Sequence, residues 1–528
     1  MKQNWLQSDW LTKVSITYLI LPFVIFCLLF LKIEIGLPIV IILCWFVWRI
    51  WKPNPNSSNG ISISKSDLII GLTVIGIWVL LSGIGGFAFQ NSDHHIRNAI
   101  FRDLINYNWP VYYPQASSFS SSSYALIYYI GYWLPAALIG KLFGWQAANI
   151  GLFIWTWIGV FLAAFLLKKR IKATLLASTL LLVFFSGMDI LGTVIMHSVV
   201  PGSYPQPWPP ITHLEWWAPT FQYSSFTTQL FWVFNQAVPA WICMALILSL
   251  SNRRYVFFIW SLCFFFSPIP ALGMLPFTLL VIPHKSFNPE EISLKWQGVK
   301  LIDFFRRCLT DIIDTVSLEN ILGGGIVLVT SYLYLSANPN GSKISFYPLN
   351  LATAVIFVTF LIIEFLLLWS LFYKEQRKNL WWYLTGAILI VIPLIIFGSS
   401  SDFCMRASIP ALFLLMTWSG EALFRKPKVN YYGALVLLLV LGCFTPLYEI
   451  NRSIYRTIKY DLGIPTTGET SIISRGEELP IPYPELDHPS TLTADLYPSL
   501  SVFNPEDIPN FVGMTNNSFF FRYLAKPP

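Results

Sequence analysis

Long apolar runs separated by short polar stretches organise this chain. A helix needs about 20 apolar residues to cross a bilayer. Such runs lie near 15–31, 35–51, 68–88, 145–167, 173–192, 228–250, 320–337, 349–373, 380–398, 407–424 and 430–447. The longer run 255–282 carries Ser267-Pro268-Ile269-Pro270 in its middle. Proline breaks a helix and pushes its predecessor toward extended backbone, so this run predicts two short spans in a hairpin. The run 124–143 holds Tyr124, Tyr128, Tyr129, Tyr132, Trp133, Pro135 and Lys141. Aromatic residues collect at membrane interfaces, and this run predicts an interfacial or re-entrant helix. The pattern as a whole predicts an all-α polytopic membrane protein of about 13 transmembrane helices over residues 1–447. Residues 448–528 turn polar, rich in Pro, Ser, Thr, Asp and Glu, and contain no run of spanning length. They predict a segment packed on the outer face of the membrane domain.

Composition sharpens the class. Charged residues make up 12% of the 528, hydrophobic residues 55% and aromatics 17%, and the mean hydropathy is +0.59. Soluble domains carry roughly 25% charge, so a soluble enzyme, a disordered chain and an ordinary secreted protein are excluded. The net charge of +7 raises the question of nucleic acid. The basic residues form no compact domain, however, and nucleic acid is not an expected partner. Cytoplasmic loops of membrane proteins collect Lys and Arg, and the strongest cluster is Lys168-Lys169-Arg170 with Lys172. Placing it inside puts the N-terminus in the cytoplasm and the C-terminus outside, in a plasma membrane of bacterial type. Loops 89–144, 193–227, 338–348 and 399–406 then fall outside. Segment 284–318 spaces Leu301, Phe305, Cys308, Ile312 and Val316 at helical intervals, predicting an amphipathic helix on the cytoplasmic leaflet. The seven cysteines show neither a disulfide framework nor a zinc spacing.

That orientation gathers the unusual polar residues on the outer side. Residues 93–107 place Ile96, Ile100, Leu104 and Tyr107 at helical spacing, which leaves Asp93 and Arg97 together, one turn apart. Asp93, His94 and His95 offer a carboxylate and two imidazoles, the groups of a general base or a divalent metal site. Arg102 and Asp103 follow on the same helix. The loop 193–227 brings His213, Glu215 and Gln222 beside Trp208, Trp216 and Trp217, aromatic platforms that suit a sugar or an isoprenoid. Asp402 and Arg406 lie between two outer span ends, Arg406 just ahead of a predicted helix start, and an arginine beside free helix N–H groups suits a phosphate. Their alternative is an ion pair with each other. Within the spans only Asp189, Glu364 and Glu421 are ionisable outliers, fewer than a buried proton relay needs.

The run from Tyr112-Tyr113-Pro114 through Tyr128-Tyr129 to Leu142-Phe143-Gly144, behind a span and an acidic first loop, resembles the front end of GT-C fold glycosyltransferases. The Ser267-Pro268 to Gly273-Met274-Leu275-Pro276 hairpin is similar to later spans of that family. The resemblance covers roughly residues 68–280 and implies a donor sugar on a polyprenyl phosphate, used at the cell envelope. It implies that Asp93 binds a divalent metal, magnesium or manganese, or acts as the base. His94, His95 and Glu215 would assist. Arg406 would hold the lipid phosphate, with Arg97, Arg102, Asp103, His213, Gln222 and Asp402 as further substrate contacts. Where the family places two carboxylates, this chain has Asp93-His94-His95, and it adds an N-terminal hairpin. The rival expectations are a lipid or glycan transporter and a non-catalytic member of a surface-polysaccharide assembly. The expected partners are membrane lipid and a lipid-linked sugar.

Overall fold

The computed structural model describes residues 9–52, 63–113, 124–199, 213–250, 253–281, 315–338, 344–348, 350–398, 401–425, 430–461 and 510–528. The expected amphipathic segment 284–318 lies outside these except for its last four residues. The fold is helical: α1 (Asp9–Phe30), α2 (Ile33–Trp51), α3 (Lys65–Leu81), α4 (Ser92–Asn106), α5 (Leu134–Ile171), α6 (Leu175–Phe184), α7 (Asp189–Val199) and α8 (Phe226–Ser249) come first. Then follow α9 (Val256–Phe266), α10 (Pro268–Val281), α11 (Gly324–Leu335), α12 (Leu351–Leu361), α13 (Leu367–Leu371) and α14 (Leu380–Val391). The last are α15 (Asp402–Ala407), α16 (Ile409–Phe424), α17 (Tyr432–Gly442) and α18 (Phe444–Arg456). Side-chain caps set several helix starts by satisfying free N–H groups. Asn91 accepts from the Asp93 N–H, Thr174 from Ala177 and Ser225 from Thr228.

Among the described residues, seven helices are long and apolar enough to cross a membrane: 10–30, 33–51, 130–171, 175–199, 226–249, 351–371 and 432–459. Three more apolar helices, at 268–281, 380–394 and 409–424, are shorter. The sequence pattern had divided the same chain into about thirteen spans. The break expected at Ser267-Pro268 is there, between α9 and α10. Exposed Ile41, Ile69, Ile77, Val355, Val358, Leu437 and Val440 face outward from the bundle, as lipid-facing surfaces require. Helix α8 is the axis. Almost all of it is buried, and it packs against α5, α9, α10, α16 and α18.

The run 124–143 differs from its expectation. Tyr124–Leu126 is a strand, antiparallel to both Tyr112–Tyr113 and Val512–Met514. A 3-10 turn over Ile130–Trp133 follows, and only then α5. One of its two partners, Val512–Met514, is nearly 400 residues away, and no local periodicity could announce that pairing. Helix α5 turns sharply at Gly144 (φ 84°), a left-handed conformation that glycine adopts at low cost. The boundary expected at 447/448 falls inside α18, which runs on without a break. The extreme C-terminus is woven into the bundle end, where Phe520 lies against Phe26 and Tyr334 and Lys526 N–H donates to Phe30 O.

The bundle has two chemically different ends. One gathers basic residues: Arg49 pairs with Glu319, and Arg170 and Arg425 share Glu421. The other carries α4, the short strands, α15 and a large cavity.

Candidate active site at the cavity end

The cavity measures about 800 Å3. Its walls come from α4, the Tyr128-Tyr129 turn, the segment 213–222, the start of α8, α15 and the C-terminal Asn510-Phe511. Segments that are distant in sequence therefore meet here.

Helix α4 is fixed by α8. At Val233 the backbone of α8 leaves helical geometry (φ −135°, ψ 35°). Two residues earlier, the Phe231 carbonyl accepts from Asn91 Nδ2 at 2.9 Å and lies 3.0 Å from His94 Nε2. His94 is buried, with its ring against Phe234. Burial and the Arg97 charge push its pKa down to about 3, so the imidazole is neutral at physiological pH. It stands behind the cavity wall and docks α4, while the next turn presents Asp93 and Arg97 to the cavity. The His95 side chain lies outside the described residues. Arg97 Nη2 donates to Asp93 Oδ2 at 2.7 Å. The Arg97 side chain is 6% exposed and that of Asp93 38%. The carboxylate is therefore the member that meets solvent. Arg102 and Asp103 do not line the cavity. Arg102 sits over the Trp145 ring at 4.6 Å, and Asp103 accepts from the Tyr113 hydroxyl at 2.6 Å. They tie α4 to α5 and to the first strand.

Helix α15 faces α4 with the same motif. Arg406 Nη1 lies 2.9 Å from Asp402 Oδ2, again one helical turn apart. The Arg406 Nε is buried and has no hydrogen-bond partner among the described residues. Burial works against its charge, yet Asp402, the Tyr129 and Tyr128 hydroxyls and Asp93 outweigh burial and raise its pKa. The two pairs line the same cavity, and Tyr128 and Tyr129 line it with them.

The third wall is built around His213. Its ring stacks on Trp232 with centroids 5.2 Å apart. Nδ1 lies 3.1 Å from Glu449 Oε1, and Nε2 lies 3.8 Å from Glu215 Oε2. Burial opposes the imidazolium, but Glu449 and Glu215 overcome it and raise the His213 pKa. Burial lifts Glu215 to about 7 against the pull of His213. Gln222 links this wall to α15. Its Nε2 donates to Glu215 Oε2 at 2.9 Å, Ser401 Oγ donates to its Oε1 at 3.2 Å, and the Cys404 thiol lies 3.1 Å from its carbonyl.

The structure thus brings Asp93, Arg97, His213, Gln222, Asp402 and Arg406 to one cavity, with Glu215 directly behind His213. His94, Arg102 and Asp103 serve the framework of α4. Two contributors were not singled out from sequence: Trp232 and Glu449, which join through Trp232 Nε1 and Glu449 Oε2 at 3.1 Å. For Glu449 the signal was a polar stripe. Thr445, Glu449, Arg452, Ser453 and Arg456 recur at helical spacing on α18 and are buried, while Phe444, Leu447 and Ile454 point outward. In a membrane protein such an inverted helix turns its polar face to the bundle.

Deeper in the bundle lies a second acidic arrangement. Trp217 Nε1 is 3.2 Å from Asp189 Oδ1 and 3.1 Å from Glu364 Oε1. Thr445 Oγ1 donates to Asp189 Oδ2 at 2.7 Å. Glu364 sits in a π-helical turn between α12 and α13. A Cβ on Gly187 would lie 1.8 Å from Glu364 Oε2, so only glycine leaves room for it.

A divalent metal fits poorly. Among the described residues, no three His, Cys, Asp or Glu side chains converge as a metal-holding group. Both aspartates on the cavity wall are already engaged by arginines. Compared with family models, with curated proteins and with solved structures, the chain matches none.

Proposed function

We propose that this membrane protein is a glycosyltransferase of GT-C type that moves a sugar from a lipid-phosphate-linked donor to an acceptor hydroxyl in the cavity. The observation that carries this reading is the pair of facing Asp–Arg couples, Asp93–Arg97 and Asp402–Arg406, with Tyr128 and Tyr129 between them. Glycosyl transfer needs a base for the acceptor and a cation for the leaving phosphate, and the cavity supplies both. Arg97 engages Asp93 Oδ2, which leaves Oδ1 to take the acceptor proton. The acceptor oxygen then forms its bond to the anomeric carbon. The bond from that carbon to the donor phosphate breaks, and its electron pair leaves with the phosphate. Arg406, with its unpaired Nε, and Arg97 stabilise that developing charge. Trp216, Trp232 and the two tyrosines offer the apolar and aromatic surface that a sugar ring and a prenyl chain need. No step is routed through a metal. The polarity of the basic loops favours a thirteen-span topology with the cavity on the extracytoplasmic side.

The test is sugar transfer from a polyprenyl-phosphate-linked donor by the purified chain in liposomes. Wild-type protein should form glycosylated acceptor, and Asp93→Ala should slow that rate by about 10²–10⁴-fold. An unchanged rate would remove Asp93 as the base.

A second reading, a carrier of lipids or glycans, draws on the Asp189–Trp217–Glu364 arrangement. Buried acids inside a membrane bundle commonly serve ion or proton pathways. It predicts movement of an intact ligand across the bilayer, with no bond broken.

A further inference from the structure

At the basic end of the bundle, α3, α5 and α6 enclose a second cavity of about 580 Å3. It is separate from the proposed transfer site and has no part in that reading. Two lysines line it, Lys168 and Lys172, with the hydroxyls of Ser64 and Thr174 and the apolar side chains of Ile63 and Phe424.

Lys168 is the informative residue. It is only 8% exposed, and its ammonium lies 5.7 Å from the Phe165 ring centroid. Among the described residues it has neither a hydrogen-bond acceptor nor a carboxylate within 4.0 Å. A lysine side chain buried this far is best compensated by an anion or acceptors in the cavity that its ammonium lines. One carboxylate does line the cavity. Asp67 is committed elsewhere, because its Oδ2 accepts from the Leu175 N–H at 2.9 Å and its Oδ1 from the Leu176 N–H at 3.1 Å. Its charge is spent on the open end of α6 and fixes that helix against α3. Lys172 ends α5 in the left-handed conformation, φ 57°, which turns the chain back beside Lys168 at the cavity rim. The cavity therefore presents two cations, two hydroxyls and one aspartate already bound, with apolar walls. A singly charged phosphate group with an apolar substituent complements that set in charge, hydrogen bonding and shape.

We propose that this cavity binds the phosphate of an anionic phospholipid headgroup or a soluble phosphate ester, with Lys168 as the buried ligand and Lys172 as the rim ligand. The experiment uses the full chain, delipidated in a neutral detergent. Short-chain phosphatidylglycerol, phosphatidylcholine and inorganic phosphate are titrated separately, and adducts are counted by native mass spectrometry. The expected result is a retained phosphatidylglycerol adduct that phosphatidylcholine does not reproduce. Lys168→Gln should weaken it about tenfold, Lys172→Gln by less, and Lys168→Arg should restore it. Lys172 is exposed, so its variant reports on binding even where Lys168→Gln folds poorly. Displacement of the lipid by millimolar inorganic phosphate would assign the site to soluble phosphate, and its persistence would assign it to the headgroup. Equal binding of phosphatidylglycerol and phosphatidylcholine, with no response to inorganic phosphate, would overturn the proposal. So would wild-type adducts in both glutamine variants.

Discussion

The cavity wall and the bundle interior both hold pairs of acids, and they treat them differently. At the wall, Asp93 and Asp402 each have an arginine one helical turn away, and each acid is the more exposed member of its pair. In the interior, Asp189 and Glu364 hydrogen-bond to neither arginine nor lysine among the described residues. Trp217 stands between them, with Thr445 and Ser186 on Asp189. At the wall the arginine leaves its acid reachable from the cavity, whereas in the interior neutral donors hold the acids in place. The difference teaches where chemistry and where structure are concentrated. Acids are held within reach at the wall and buried among neutral donors beneath it.

Substitutions can break that comparison. After Asp93→Ala, the largest effect should come from Arg406→Ala, lowering the transfer rate by about 10²-fold while leaving the melting temperature close to wild type. Arg406→Lys should recover only part of the rate, because an ammonium cannot reproduce the guanidinium fork. Trp217→Phe should do the reverse. It removes the donor shared by two buried carboxyl groups and should cost about 1–3 kcal/mol of stability, read as a lower Tm in detergent. The rate per folded molecule should hold. A rate that falls as steeply as in Arg406→Ala would join the interior acids to the working site and favour the carrier.

The smallest effect lies at Glu215, which stands between the two regions. Burial raises its pKa from 4.5 to about 7, so the folded state prefers the protonated acid more than the unfolded chain does. The stability tied to this group is complete below about 4.5 and is lost as pH rises through 7. His213, Asp189, Thr228 and Gln222 act on it from the surrounding elements. Melting temperature measured from pH 4.5 to 8 should therefore fall more steeply in wild type than in Glu215→Gln. Parallel curves would show that Glu215 does not titrate in this window.

Much of this arrangement could be read from local spacing. Asp93 with Arg97 and Asp402 with Arg406 are four residues apart on short helices, and a helix brings such residues together. The break at Ser267-Pro268 follows from proline geometry. What could not be read depends on contacts between distant segments. His94 looked like a cavity residue because its neighbour Asp93 lines the cavity, but its partner is a carbonyl beside the kink of α8. Tyr124–Leu126 looked like part of a helix because one of its strand partners is the distant Val512–Met514. Asp189 and Glu364 looked like isolated oddities because Trp217, which joins them, belongs to a third segment. Glu449 was hidden in a stretch taken for a polar tail, although the buried stripe of α18 was there at helical spacing.

The most direct measurement follows one labelled donor in liposomes holding the full chain, scoring cleavage of the sugar–phosphate bond and transbilayer movement of the intact donor in the same sample. The expected result is cleavage and transfer to acceptor by wild type and Trp217→Phe, with transfer lost in Asp93→Asn and Arg406→Ala. Movement of intact donor with no cleavage in any of the four would contradict a transferase and leave the carrier standing.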